Sequence, residues 1–238
     1  LLYDGAVDLN VDLGELPGEP EELYALAHVA NIACGGHAGD RASIVQALMR
    51  CKAHGTRVGA HPSYPDRDGF GRTAMVMAPA DLRATVREQC ERLATEARAL
   101  GMAATSVKAH GALYHAASAD LAIASAVVGG AVDALGSGIT VLGPATGRLA
   151  HAAREAGLTY AREGFADRGT RLDGTLIPRG QPGALLVDPL AAAARAKELL
   201  ASGRFETVCV HGDTPGAVAI ARAVRQVLDD AAREHAPA

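Results

Sequence analysis

Four histidines of the chain stand at turns: His37 follows Gly36, while His61, His110 and His211 precede Pro62, Gly111 and Gly212. Each has charged company. Asp40 follows His37 closely, Lys108 precedes His110, and Asp213 follows His211. Asp12 and Glu15 flank Gly14, and Glu163 and Asp167 fall around Gly164. Histidines beside carboxylates support two kinds of chemistry. They can pass protons near neutral pH, with the carboxylate setting the ring tautomer. In that role Asp213 is expected to orient His211. Alternatively, two or three of them can hold a divalent transition metal with a carboxylate, and Asp12, His37 and His61 are the first candidate set. Lys108 interrupts an apolar run, where a lysine suits a carboxylate, a phosphate or a developing oxyanion. The expected catalytic set is Asp12, His37, His61, Lys108, His110, His211 and Asp213. Glu15, Asp40 and Glu163 are expected to touch substrate. So are Arg72 and Arg179, which lie in loops shaped by Gly and Pro. Arg168 and Arg171 are further clamps of the same kind, and Tyr64 and Tyr114 further donors. His28, His54, His115, His151 and His235 read as peripheral. Cys34 sits in an apolar run and is expected to be an inert buried thiol.

The repeating pattern of the chain indicates how these residues are brought together. A short apolar run leads to a Gly-rich turn and then to an Ala-rich helical stretch. Apolar runs cover 7–13, 29–34, 58–60, 105–109, 139–142, 159–163 and 207–210. Helical stretches open at Asp40 or Ser43, Pro79, Leu121, Thr146, Pro189 and Ala217, with Gly55 and Gly101 as stops. Residues 185–187 are apolar but too few to assign. Strands alternating with helices imply a mostly parallel sheet, because parallel strands need crossovers of this length. The expected fold class is α/β, a (β/α) barrel or near-barrel of about seven parallel strands, in one domain spanning 1–238. An open doubly wound sheet is the alternative. In either form the carboxyl ends of the strands converge on one face, where the charged residues above fall. Asp8, Asn10 and Asp12 alternate, so they share one face of the first strand and leave Val7, Leu9, Val11 and Leu13 to meet the helices. The polar segment 164–183 is expected to be a functional loop.

Composition narrows the function. Of 238 residues, 49% are apolar, enough for a sizeable core. The formal charge is −4, which disfavours nucleic acid and anionic membranes as partners. The four cysteines form no CxxC pair, so no zinc finger or thioredoxin-like site is expected. No secretory signal or membrane-length apolar run is present, and the cytoplasm is the expected compartment. Neither Walker A nor GxGxxG spacing occurs, so the residues make no case for an independent ATP or NAD site. The Ala-rich helices are compatible with a homo-oligomer.

Six motifs, taken in order, point further. They are VDLNVDLGE (7–15), NIACGGHAGD (31–40), GAHPSYPDRDGFGR (59–72), KAHGALY (108–114), FADRGTRLDGTLIPRGQPGAL (165–185) and CVHGDTPGAV (209–218). Over nearly the whole chain this resembles the LamB/YcsF family, the A subunits of prokaryotic ATP-dependent 5-oxoprolinase. The resemblance implies a variant (β/α) barrel like those of glycoside hydrolases and deacetylases. It also implies cleavage of 5-oxo-L-proline with water and ATP to L-glutamate, ADP and phosphate, together with B and C partner subunits. The family's motifs fall on Asp12 and Glu15, His37 and Asp40, His61, Lys108 and His110, and His211 and Asp213. Two departures stand out. Gly36 replaces the usual aromatic, and the stretch between Glu15 and Asn31 is short. Two other readings accompany this one: a metal-dependent amidase or deacetylase acting alone, and a non-catalytic small-molecule-binding regulatory subunit.

Overall fold

The computed structural model describes residues 7–171 and 175–234. His235 and residues 172–174 of the fifth motif lie outside them. Seven parallel strands form a closed barrel in sequence order: β1 (Asp8–Leu13), β2 (Val29–Ala33), β3 (Arg57–His61), β4 (Ala104–Lys108), β5 (Thr140–Pro144), β6 (Thr159–Phe165) and β7 (Thr207–His211). The register of β1 on β7 pairs Asp8 with Thr207 and Asp12 with His211. Closure decides between the barrel and the open sheet. Each expected apolar run is a strand, except 185–187. There Leu185 makes an isolated antiparallel bridge to Arg168, folding the long loop back on itself.

Among the described residues eight helices surround the barrel: α1 (Glu21–Leu26), α2 (Arg41–His54), α3 (Pro79–Ala99), α4 (Gly111–Ala119), α5 (Leu121–Leu135), α6 (Arg148–Glu155), α7 (Pro189–Ala201) and α8 (Ala217–Glu234). Their starts follow local chemistry. Asp40 caps α2 and forms a capping box with Ser43. Asp120 accepts from the backbone N–H groups of Ala122 and Ile123 at the start of α5. Pro189 follows the cap Asp188 in α7. α1 and α4 were not expected. α1 has 6 residues and no side-chain cap, only Pro20 followed by Glu21 and Glu22, and α4 also lacks a side-chain cap.

The barrel wall separates two environments. Leu9, Val11 and Leu13 are fully buried against the helices, in a core that runs on through Ile32, Leu48, Leu93, Val208 and Ile220. The inside is polar. Asn10 Nδ2 donates to Thr207 Oγ1 at 2.8 Å, and Asn31 Nδ2 to Asn10 Oδ1 at 2.8 Å. Gly59 makes room for this layer, since a Cβ there would lie 2.6 Å from Ser106 Oγ and 2.8 Å from Asn31 Oδ1. A polar interior must be hydrogen-bonded to be tolerated, and this one supports the groups above it. All four cysteines are buried and unpaired, and burial pushes the Cys34 thiol up to about 12. No helix among the described residues is long and apolar enough to cross a membrane.

Candidate active site

The site begins with an ammonium group inside the barrel. Lys108, the last residue of β4, is 2% exposed. Its Nζ lies 2.9 and 3.2 Å from the Asp12 oxygens, 2.8 Å from Glu163 Oε1 and 3.1 Å from Cys209 Sγ. Burial pulls its pKa down, but Asp12, Cys209 and Glu163 win and hold it well above the usual lysine value. Asp12 mirrors this. Burial pushes its carboxyl up, yet His61 and Lys108 keep it well below the ordinary range.

Beside this pair stands a cluster of three imidazoles around Glu15. Glu15 Oε1 lies 3.0 Å from His37 Nε2, 3.1 Å from His110 Nδ1 and 3.7 Å from His61 Nε2. Backbone carbonyls set two of the rings. His61 Nδ1–H donates to the Lys108 carbonyl at 2.8 Å, and His110 Nε2–H to the Phe70 carbonyl at 3.0 Å. A carbonyl can only accept, so the opposite nitrogens face inward, 3.0 Å from each other. One proton must lie between them. Burial lowers the His61 pKa, but Asp12 and Glu15 raise it above the ordinary value. His110 and His37 are lowered, chiefly by burial, His37 to about 4. Phe70 covers the cluster, its ring edge-on to His37 and His110. Its φ of 54° makes it the one non-glycine residue with positive φ among the described residues. That conformation costs roughly 1–2 kcal/mol and delivers the carbonyl that His110 uses.

The third group forms the rim. His211 closes β7, and its ring Nδ1 lies 3.0 Å from Asp167 Oδ1, with Nε2 3.8 Å from Asp12 Oδ2. Asp167 therefore orients His211. The expected partner, Asp213, is engaged elsewhere: its oxygens take Arg72 Nη2 at 2.7 Å and Arg179 Nη1 at 2.9 Å. Asp213 sits two residues beyond the strand end, past the turn at Gly212, whereas Asp167 follows β6 next door. Arg168 is 7% exposed and donates to the carbonyls of Ala184 and Ile177. Among the described residues it has no ion pair.

A cavity of about 520 Å³ opens on this face, lined by Asp12, His61, Lys108, His110, His211, Arg72, Arg168 and Arg179, with Tyr114 and Phe165. Other expected residues lie behind or beyond it. Glu15 and His37 form the cluster beneath the wall. Glu163 lies behind Lys108. Asp213 ties two arginines, and Asp40 is exposed at the cap of α2, lining a separate cleft between α2 and α3. Three supporting residues were not expected. Glu19 accepts from the backbone N–H groups of Gly14, Glu15 and Leu16 and so shapes the turn that carries Glu15. Phe70 and Gln89 are the others. Gln89 exchanges hydrogen bonds with the Ser63 backbone and fills the space beside Gly36, where a Cβ would collide with Gln89 Oε1 and Ser63 Oγ. The departure at Gly36 thus has a steric partner on α3. The GFG run around Phe70 was a visible signal; nothing marked Glu19 or Gln89.

Spacing would let Glu15, His37, His61 and His110 hold a metal ion, since their donor atoms all fall within 4.8 Å. Tetrahedral bonds of ~2.0–2.1 Å put ligand atoms ~3.3 Å apart, close to the separations above. Orientation does not fit as found. The His37 and His110 rings are stacked at 3.7 Å with planes 3° apart. An imidazole lone pair lies in the ring plane, so an ion between these rings would lie out of both planes. Coordination by both needs one ring to turn. The second grouping, Asp12, Cys209 and His211, already has the Lys108 ammonium against two of its members.

The sequence pattern of the LamB/YcsF family matches residues 7–238. The 5-oxoprolinase A subunit of Methylococcus capsulatus is 43% identical over 239 residues, covering 93% of this chain and 92% of that protein. That of Chloroflexus aggregans is 42% identical, covering 95% and 96%. Among solved structures, a lactam utilization protein from Thermus thermophilus superposes with a TM-score of 0.86 at 37% identity, covering 95% and 97%. A family 4 carbohydrate esterase from Streptomyces lividans, 14% identical with a TM-score of 0.50 over 96% of this chain and 90% of that one, shares the fold alone.

Proposed function

The chain belongs to the LamB/YcsF family, and from that premise we propose that it is the A subunit of an ATP-dependent 5-oxoprolinase, opening 5-oxo-L-proline to L-glutamate in the cytoplasm with B and C partner subunits. The observation that carries this reading is one cavity in which a buried Asp12–Lys108 pair, the histidines His61, His110 and His211 and three arginines meet. That set suits a small lactam bearing a carboxylate.

Opening a lactam requires an aimed water, a stabilised carbonyl oxygen and a proton for the departing nitrogen. His211 is the base. Asp167 takes its Nδ1–H, leaving the Nε2 lone pair toward the cavity. Asp12 is too acidic to take the water's proton at neutral pH, so it orients the water and balances the cations. Lys108 stabilises charge on the carbonyl oxygen. His61, kept protonated by Asp12 and Glu15, supplies the nitrogen's proton and recovers one through the Glu15 cluster. Arg72 and Arg179 exchange Asp213 for the substrate carboxylate. ATP enters the reaction through the complete complex. The orientation of His37 and His110 gives no reason to route these steps through a metal.

The test is reconstitution with the B and C subunits, 5-oxo-L-proline and ATP, with glutamate and phosphate measured together. Asp12→Asn and His211→Gln should each abolish glutamate release while keeping the far-UV spectrum. Normal turnover in either variant would sink the assignment. Lactam or amide hydrolysis by the isolated chain without ATP would favour a stand-alone amidase.

A further inference from the structure

Arg168 stands just beyond the end of β6, where the long loop folds back on itself. The crossing is tight. The Gly169 N–H donates to the Ala184 carbonyl, and a Cβ on Gly169 would collide with the Gly183 carbonyl oxygen. The same backbone holds the Arg168 side chain. Its Nε donates to the Ala184 carbonyl at 3.1 Å and its Nη2 to the Ile177 carbonyl at 2.8 Å. The guanidinium lines the active-site cavity, and among the described residues its third nitrogen, Nη1, has no hydrogen-bond partner.

The charge of this buried group has no counterpart. Asp167, its neighbour along the chain, is committed to His211 and Thr214, and Asp213 to Arg72 and Arg179. One Asp213 charge thus serves two arginines, while three guanidinium groups line the cavity. Burial, with Arg179 and Arg72 nearby, acts against the Arg168 cation, and Asp167 and Cys209 act for it. A guanidinium does not shed its proton, so the cost of burying it stands until an anion arrives. Arg72 and Arg179 are in a different position. Their side chains are 37% and 24% exposed, and each already has a carboxylate.

We propose that Arg168 is the residue that selects a lactam bearing a carboxylate: the free Nη1 edge is a fixed seat for that anion, and Arg72 and Arg179 close on it afterwards. The inference rests on the lactam-opening reading and names the cation that meets the carboxylate first. An anion at Nη1 brings a counter-charge to a group that is already desolvated and already held in place. Arg72 and Arg179 must leave Asp213 to do the same, so for them one carboxylate only replaces another. The gain from a substrate carboxylate is therefore largest at Arg168. A neutral lactam gains nothing there.

Calorimetry on the full chain decides the matter, with 5-oxo-L-proline set against the neutral lactam 2-pyrrolidinone. The wild-type chain should prefer 5-oxo-L-proline by about 100-fold or more, and Arg168→Met should bring the two ligands within about threefold. Arg72→Gln combined with Arg179→Gln should keep a preference of about tenfold or more, because the seat remains. In the complex with B and C subunits, Arg168→Met should raise KM for 5-oxo-L-proline by about 30-fold and leave kcat within about threefold, as the loss of a binding contact does. A preference that survives Arg168→Met, or one that vanishes in the double variant, would overturn the seat. So would a fall in kcat with KM unchanged, the mark of a loop merely loosened. If Arg168→Met does not fold, the double variant still decides. Binding that depends on Arg168 without any glutamate formed by the complete complex would overturn lactam opening and leave the seat standing. No binding of 5-oxo-L-proline to the wild-type chain would overturn both.

Discussion

Asp167 holds His211 at two points. One oxygen lies 3.0 Å from the ring Nδ1, and the other accepts from the His211 backbone N–H at 2.9 Å. Thr214 Oγ1 donates to that second oxygen at 2.6 Å. The carboxylate therefore fixes both the tautomer of His211 and the turn that carries it, as carboxylates do for catalytic histidines elsewhere.

Burial would raise the Asp167 carboxyl, but His211 and Thr214 hold it below the ordinary range. A carboxyl lowered on folding stabilises at pH above its unfolded value of ~3.9 and loses that contribution as pH falls through its folded value. Asp167→Asn should lower Tm at pH 7, and the difference from wild type should narrow in thermal melts taken toward pH ~3. Turnover should fall by about 100-fold or more at every pH. A pH-independent stability difference would show that the carboxylate's charge is not what matters.

His37 is held to about 4, chiefly by burial, with the Glu15 hydrogen bond acting in the opposite sense. Its imidazole should stay neutral in nitrogen-detected NMR down to that region. Glu15→Gln should lower it further, since the interaction that favours the proton is removed. A His37 that protonates near ~6.5 would refute the buried, neutral assignment.

Lys108 is the charge partner of two buried carboxylates. Lys108→Met should cost about 3–5 kcal/mol in urea unfolding, because both are left uncompensated. Adding Asp12→Asn should recover part of that loss, giving a non-additive cycle. Simple additivity would mean the pair is not coupled.

Asp213 pairs with both Arg72 and Arg179. Asp213→Asn should release them and tighten 5-oxo-L-proline by about tenfold, or ~1.4 kcal/mol. It should leave the neutral lactam 2-pyrrolidinone unchanged. Arg179→Ala should do the reverse to 5-oxo-L-proline. Equal effects on both lactams would show that the arginines do not read the carboxylate.

Gly36 has no space for a methyl group beside Gln89 and Ser63. Gly36→Ala should destabilise by roughly 1–3 kcal/mol through overpacking. Gln89→Ala in the same chain should relieve much of that cost, read from paired denaturation curves. No relief would place the strain in the backbone instead.

Much of this molecule was legible along the chain. Asp12, His37, His61, Lys108, His110 and His211 each end or follow a strand, and parallel strands send their carboxyl ends to one face. Alternation placed Asn10 and Asp12 on the inner face of β1, with Leu9 and Val11 outside. Such patterns are local, with periods of two or of a helical turn, so a linear sequence carries them. Partnership is not local. Asp167 and Asp213 are both acids near a strand end, and only the neighbouring of β6 and β7 gives His211 to the first. Closure of β1 on β7 likewise depends on strands far apart in sequence, and with it the polar interior that holds Lys108. The stacking of His37 on His110 follows from Glu15, which both rings contact, and from the Phe70 carbonyl that holds His110, which no spacing along the chain records. Asp12, Lys108 and the four histidines were thus named by their own sequence positions. Their pairings and burial came from distant segments meeting, because packing and charge act through space.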